Sequence, residues 1–67
     1  MLTLRINGDA CRYAGDPMLG DLLNERNVPP DRVAVLVNEQ VVPRAQRDAC
    51  RLRDGDHVEI LTLAAGG

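Results

Sequence analysis

Apolar and polar residues alternate with period two over Leu2-Thr3-Leu4-Arg5-Ile6, which predicts a half-buried strand. Asn7-Gly8 follows, two residues that tolerate positive φ, and reads as a hairpin turn into a weaker returning strand, Ala10-Cys11-Arg12-Tyr13, at a sheet edge. The period then changes. Met18, Leu19, Leu22 and Leu23 recur at helical spacing and define one apolar face. Asp16 is a good N-cap, Pro17 suits the first turn, and Asp21 adds negative charge early in the helix. Asn27 can close it and Pro29-Pro30 forbid continuation, so the helix is expected over about 17–26.

Beyond the prolines, Val33-Ala34-Val35-Leu36-Val37 is a short run rich in β-branched residues, the signature of a central strand. Asn38-Glu39 predicts a tight turn and Gln40-Val41-Val42 a short return stopped by Pro43. Residues 44–48 suit one irregular or 3₁₀ turn, with Cys50 and Leu52 pointing inward as the chain crosses back. Asp54-Gly55-Asp56 is a turn, with glycine supplying positive φ and the carboxylates free to bond nearby N–H groups. His57 to Leu63 is the final strand. Strand, strand, helix, strand, strand, strand is the order of an α+β β-grasp. It implies a mixed sheet of about five strands, one main helix on one face, and first and last strands adjacent and parallel at the centre. Residues 1–63 form that domain, and Ala64, Ala65, Gly66 and Gly67 are expected to be a flexible tail.

Composition narrows what such a domain can do. Sixty-seven residues, 45% of them apolar, support one small core. Trp and Phe are absent and Tyr13 is the single aromatic, so the core is aliphatic and leaves little room to enclose a substrate; an enzyme with its own active site is not expected. A formal charge of −2 and the lack of stacking aromatics argue against nucleic acid. No apolar run approaches a membrane span and no signal-peptide pattern opens the chain, so a cytoplasmic protein is expected. Cys11 and Cys50 stand in no metal-ligand spacing and read as reduced apolar fillers. His57 has no Cys, His or Ser constellation around it and reads as a solvated strand residue. All eight basic residues are arginines.

The chemistry is concentrated at the end. Neither Gly66 nor Gly67 has a Cβ, so this backbone fits a channel too narrow for any side chain, and the terminal carboxylate is uncrowded. Extended, residues 64–67 reach at most roughly 13–14 Å from the fold at ~3.3–3.6 Å per residue. Val37-Asn38-Glu39-Gln40-Val41-Val42-Pro43-Arg44, then Leu52-Arg53-Asp54-Gly55-Asp56-His57-Val58-Glu59-Ile60, then Gly66-Gly67, taken in order, resemble the ubiquitin-like sulfur carrier proteins, specifically the short carriers of the thiamine thiazole pathway. The resemblance covers nearly the whole chain. Leu63-Ala64-Ala65 departs from it, since those carriers often have Val before the Ala.

The resemblance implies a protein co-substrate rather than an enzyme. A ubiquitin-activating-like adenylyltransferase would use ATP and Mg²⁺ to adenylate Gly67. Sulfur from a cysteine desulfurase or rhodanese-like donor would convert the adenylate to a thiocarboxylate, and thiazole synthase would accept it. The carrier itself holds no cofactor and no metal. Ala64, Ala65 and Gly66 would thread the partners' active sites. If the helix covers Leu2, Leu4, Ile6, Val35, Val37, Val58 and Ile60, the opposite face shows Arg5, Ala34, Leu36, Glu59, Leu61 and Leu63. Leu36, Leu61 and Leu63 are the expected partner-binding patch. Carriers for molybdopterin, cysteine, homocysteine or siderophore synthesis share such a tail, and a ubiquitin-like modifier or inert binding module is the alternative from another class.

Overall fold

The computed structural model describes residues 1–63. Its elements run β1 (Leu2–Ile6), β2 (Asp9–Tyr13), α1 (Leu19–Glu25), β3 (Val33–Val37), β4 (Gln40–Val41), a 3₁₀ helix (Arg44–Ala49) and β5 (His57–Thr62). The sheet order is β2-β1-β5-β3-β4. The parallel pair at its centre is β1 with β5, in register Arg5–His57 and Ile6–Val58, and every other pairing is antiparallel. This is the β-grasp arrangement, made possible because the crossover containing α1 separates the two parallel strands.

The turns follow from residues that tolerate positive φ. Asn7 and Gly8 take φ 52° and 88°, and Asn38 and Glu39 take 51° and 70°, so both hairpins close through two left-handed residues. Gly55 at φ 87° turns the chain into β5. Asn27, at φ 57°, ends α1. There the Val28 N–H reaches Leu23 O at 3.0 Å and the Asn27 N–H reaches Asn24 O at 3.1 Å, a Schellman closure that satisfies two orphan carbonyls.

The start of α1 differs from the expectation. Asp16 does not cap the helix and Pro17 is not in its first turn; Met18 is the cap residue, extended and without a side-chain cap bond. Tertiary pairing replaces the cap. The Leu19 N–H donates to Cys50 O at 2.8 Å, the Leu52 N–H donates to Pro17 O at 2.7 Å, and Met18 bridges Arg51. A backbone carbonyl from the crossing segment thus satisfies the donor that a capping carboxylate would have taken. The helix is therefore shorter at both ends than 17–26.

Leu19, Leu22 and Leu23 pack onto Leu4, Ile6, Val33, Val35 and Val58, with Leu52 and Tyr13 completing the core. Leu2, Val37 and Ile60 are half-buried at its margin, and Met18 is half-buried too. The 3₁₀ helix lies close against α1. A Cβ on Gly20 would meet the Asp48 side chain and stand 3.3 Å from the Asp48 Cα. Arg47 enters from the same segment and is 7% exposed. Its guanidinium donates to Pro30 O at 3.0 Å and Val33 O at 2.9 Å, tying the loop after α1 to the start of β3.

Candidate functional site

Alternation along the strands sends Arg5, Ala34, Leu36, His57, Glu59 and Leu61 to the face that α1 leaves uncovered. Leu61 is 49% exposed and Leu63 52%, while Leu36 is half-buried. The register explains the difference. Leu36 stands opposite Glu59 on one side and opposite Val41 on the other, whereas Leu61 faces only the small side chain of Ala34. Val41, 67% exposed, is the residue that the sequence reading missed. The signal was available: a two-residue turn at Asn38-Glu39 forces Val37 against Gln40 and Leu36 against Val41, and so puts Val41 on the uncovered face.

Backbone bonds fix this ridge. Past the end of β1, the Asn7 side chain continues the ladder, accepting from the Ile60 N–H at 2.7 Å and donating to Ile60 O at 3.2 Å. At the far end the Leu63 N–H donates to Arg32 O at 2.8 Å. Leu61 and Leu63 are therefore held on an ordered strand end just before the tail. Ala64, Ala65, Gly66 and Gly67 lie outside the described residues.

Other chemistry-bearing groups do not converge. Cys11 and Cys50 are both free and half-buried. Cys50 borders an open groove of about 580 Å³ beside Val42, Gln46 and Arg51. Burial, and then the charge of Asp56, push its thiol pKa up, which disfavours the nucleophilic thiolate. Among the described residues no three His, Cys, Asp or Glu side chains are grouped to hold a metal ion. No helix among them is long and apolar enough to cross a membrane.

The model of the ThiS family matches residues 4–67, a span that includes all of the sheet but the first two residues of β1 and runs through Gly66-Gly67. The chain belongs to the ThiS family. Among solved structures it is similar to the crystal structure of the thiamine biosynthesis protein ThiS from Geobacter metallireducens, at 32% identity and a TM-score of 0.84, covering 98% of this chain and 100% of that one. The solution structure of a thiamine biosynthesis protein from the same organism gives 32% identity and a TM-score of 0.79, over 98% and 88% of the two chains. A thiazole synthase of Paramagnetospirillum magneticum is 32% identical over 66 residues, 98% of this chain, and this chain spans only 20% of that relative's length. The ycf40 protein of Porphyra purpurea is 29% identical over 98% of this chain and 93% of its own. The expected β-grasp class is thus the fold of a ThiS family member.

Proposed function

We propose that this chain is the sulfur carrier of thiazole formation in thiamine synthesis, with the Gly67 carboxylate as the atom-bearing site. The family match extending to the final diglycine carries this reading, since a match confined to the folded body would speak only for the fold. At neutral pH a terminal carboxylate, with a reference pKa of about 3.3–3.7, is ionised and a poor electrophile. A ubiquitin-activating-like adenylyltransferase, using ATP and Mg²⁺, joins it to AMP and releases pyrophosphate. Sulfide then attacks the acyl carbon and AMP leaves, giving the thiocarboxylate. When a desulfurase or rhodanese-like persulfide is the donor, an acyl disulfide forms instead, and a thiol reductant cleaves its S–S bond to the same product. The chain supplies no acid, base or metal to these steps; it is a co-substrate, acting in the cytoplasm.

Glycine at 66 and 67 lets the backbone enter a confined active site, with Ala64 and Ala65 as the small residues that follow it in. Leu36, Leu61 and Leu63, with Val41, are the anchor outside. The resemblance of this chain to a fifth of a longer thiazole synthase supports that enzyme class as acceptor, because carrier-like sequence there belongs to the same polypeptide as the rest of the protein. Incubation with the adenylyltransferase, ATP, Mg²⁺ and sulfide is expected to add about 16 Da, oxygen replaced by sulfur, at the C-terminus. A conjugate to another protein's lysine would identify a modifier instead, and an unchanged mass would remove the carrier reading.

A further inference from the structure

The two edges of the sheet are protected unequally. β4 closes one of them with only Gln40 and Val41, and Pro43 stops it. β2 closes the other with Asp9–Tyr13, holds no proline or lysine, and keeps its register with β1 without a bulge. That pairing satisfies one side of β2 alone. The two-residue turn at Asn7-Gly8 makes Ile6–Asp9 a hydrogen-bonded pair, so Asp9, Cys11 and Tyr13 bond back to β1. The N–H and C=O of Ala10 and Arg12 therefore point outward. No turn, loop or cap bond among the described residues takes them up, and only the Cys11 thiol, a weak donor, approaches Arg12 O, at 3.8 Å.

A second copy of β2 satisfies all of these groups in one register. Antiparallel pairing of Ala10 with the partner's Arg12, and of Arg12 with the partner's Ala10, uses every outward N–H and C=O about a two-fold axis and sets Cys11 opposite the partner's Cys11. Centring the axis on Ala10 or on Arg12 instead keeps half of those bonds within the strand, and the second choice sets two guanidiniums opposite each other. Charge favours the same register. Cys11 lies on the α1 side, opposite Leu4, with the Arg26 guanidinium 3.8 Å from its sulfur, and Asp9 shares that side opposite Ile6. Across the axis, Asp9 comes diagonal to the partner's Cys11 and within reach of the partner's Arg26. Asp9 and Arg26 are both exposed, and among the described residues the one ion pair is Arg44 with Asp31.

We propose that β2 is a self-pairing edge: two copies of this chain join antiparallel through Ala10 and Arg12, their sheets continuous across a two-fold axis at Cys11. The pairing stands apart from the sulfur-carrier reading. β1 separates β2 from β5, so Leu61 and Leu63 of both copies stay open. The interface is small, and association is weak and concentration-dependent. With reduced thiols it is non-covalent, yet the facing thiols supply a probe. A non-hydrogen-bonded antiparallel pair holds its Cα atoms about 4.5 Å apart, inside the span of roughly 4.4–6.8 Å that a disulfide bridges. Diamide takes two electrons and two protons from such a pair, becoming the hydrazine as the S–S bond forms.

The full chain carrying Cys50→Ala, in which Cys11 is the remaining cysteine, is oxidised with diamide and the disulfide-linked dimer is followed by mass. A dimer joined through Cys11 is expected. Adding Cys11→Ala and Arg12→Cys moves the thiol by one residue, into the register that keeps half of the bonds. Cross-linking there is expected to be at least about fivefold slower, equivalent to two hydrogen bonds at the low end of their net contribution. Random collision predicts the reverse, because position 12 is exposed and Cys11 is half-buried. A rate for the Arg12→Cys chain equal to or above that of Cys11 would overturn the proposal. Ala10→Pro deletes one outward donor per copy and no β1 bond, and is expected to slow Cys11 cross-linking by at least about fivefold with α1 and β5 amide shifts unchanged. Should that chain not fold, Asp9→Arg keeps the ladder and sets cation against cation across the axis, and is expected to slow cross-linking as well. An unaltered rate in a folded variant would refute pairing through this edge. Without oxidant, sedimentation equilibrium of the unaltered chain is expected to show a mass that rises from 7.3 kDa toward twice that value with concentration, and a constant 7.3 kDa would contradict it.

Discussion

Single residues decide several features that no periodicity announces. Gly20 is one, since any side chain there meets Asp48 and the 3₁₀ backbone behind it. Gly20→Ala is expected to lower unfolding free energy by about 1–3 kcal/mol in urea titration, the usual cost of overpacking, despite alanine's better helix propensity. Arg47 is another. Replacing it with Met keeps much of the volume but strands the carbonyls of Pro30 and Val33, and a loss of about 2–4 kcal/mol is expected by the same measurement. Glu39 shows the opposite sign: at φ 70° it holds a conformation that costs an L-residue roughly 1 kcal/mol. Glu39→Gly is expected to raise the urea midpoint slightly, or leave it unchanged where the entropy of glycine cancels the relief.

Two weak acids, core Tyr13 and half-buried Cys50, set the alkaline limit. Burial and nearby carboxylates raise Cys50 and Tyr13 above their ordinary values of 9.0 and 10.0. The folded state therefore binds these protons more tightly than the unfolded chain does. Their stabilisation is complete below pH 9 and is lost as pH rises from the unfolded values through the folded ones. Denaturant midpoints are expected to hold from pH 7 to 8.5 and fall above about pH 9.5, and Cys50→Ala is expected to delay the onset of that fall. A midpoint that climbed with alkali would contradict the assignment.

At the scale of elements, legibility followed the strength of the local signal. The β1 alternation, the Asn7-Gly8 and Asn38-Glu39 turns and the closure at Asn27 all depend on short-range chemistry, and each element forms as its residues predict. The helix start was misread because Asp16-Pro17 carries a valid local signal that long-range pairing to Cys50 and Leu52 overrides. Arg47 was illegible for a similar reason: in sequence it is one more arginine in a polar stretch, and only the fold brings two carbonyls to it. Leu61 and Leu63 could be placed on the open face by alternation alone, whereas Val41 needed the turn's register as well. Asn7 connects element to site. Asn7→Ala would release Ile60 from the β1 ladder and is expected to speed amide hydrogen exchange at Ile60 and Leu61 more than in α1.

The described residues form a small aliphatic body, and the proposed reactive group lies outside them, at Gly67. In the proposed function its contribution is to present one carboxylate in a chosen direction. The sheet supplies rigidity, because β5 is paired on both sides. In the proposed function the uncovered face supplies the anchor, and the absence of Cβ atoms at Gly66 and Gly67 supplies access. Truncating Leu61 and Leu63 to Ala is expected to weaken activation through its half-saturating carrier concentration while leaving the fold intact, since both side chains are about half exposed. The most direct measurement is sulfur loading, by mass, of a chain carrying one additional alanine after Gly67. Loading should fall to background, because the acyl carbon would then belong to a residue with a Cβ, displaced by about 3.5 Å from where the partner expects it. Loading at the unaltered rate would mean that a bare diglycine carboxylate is not the site.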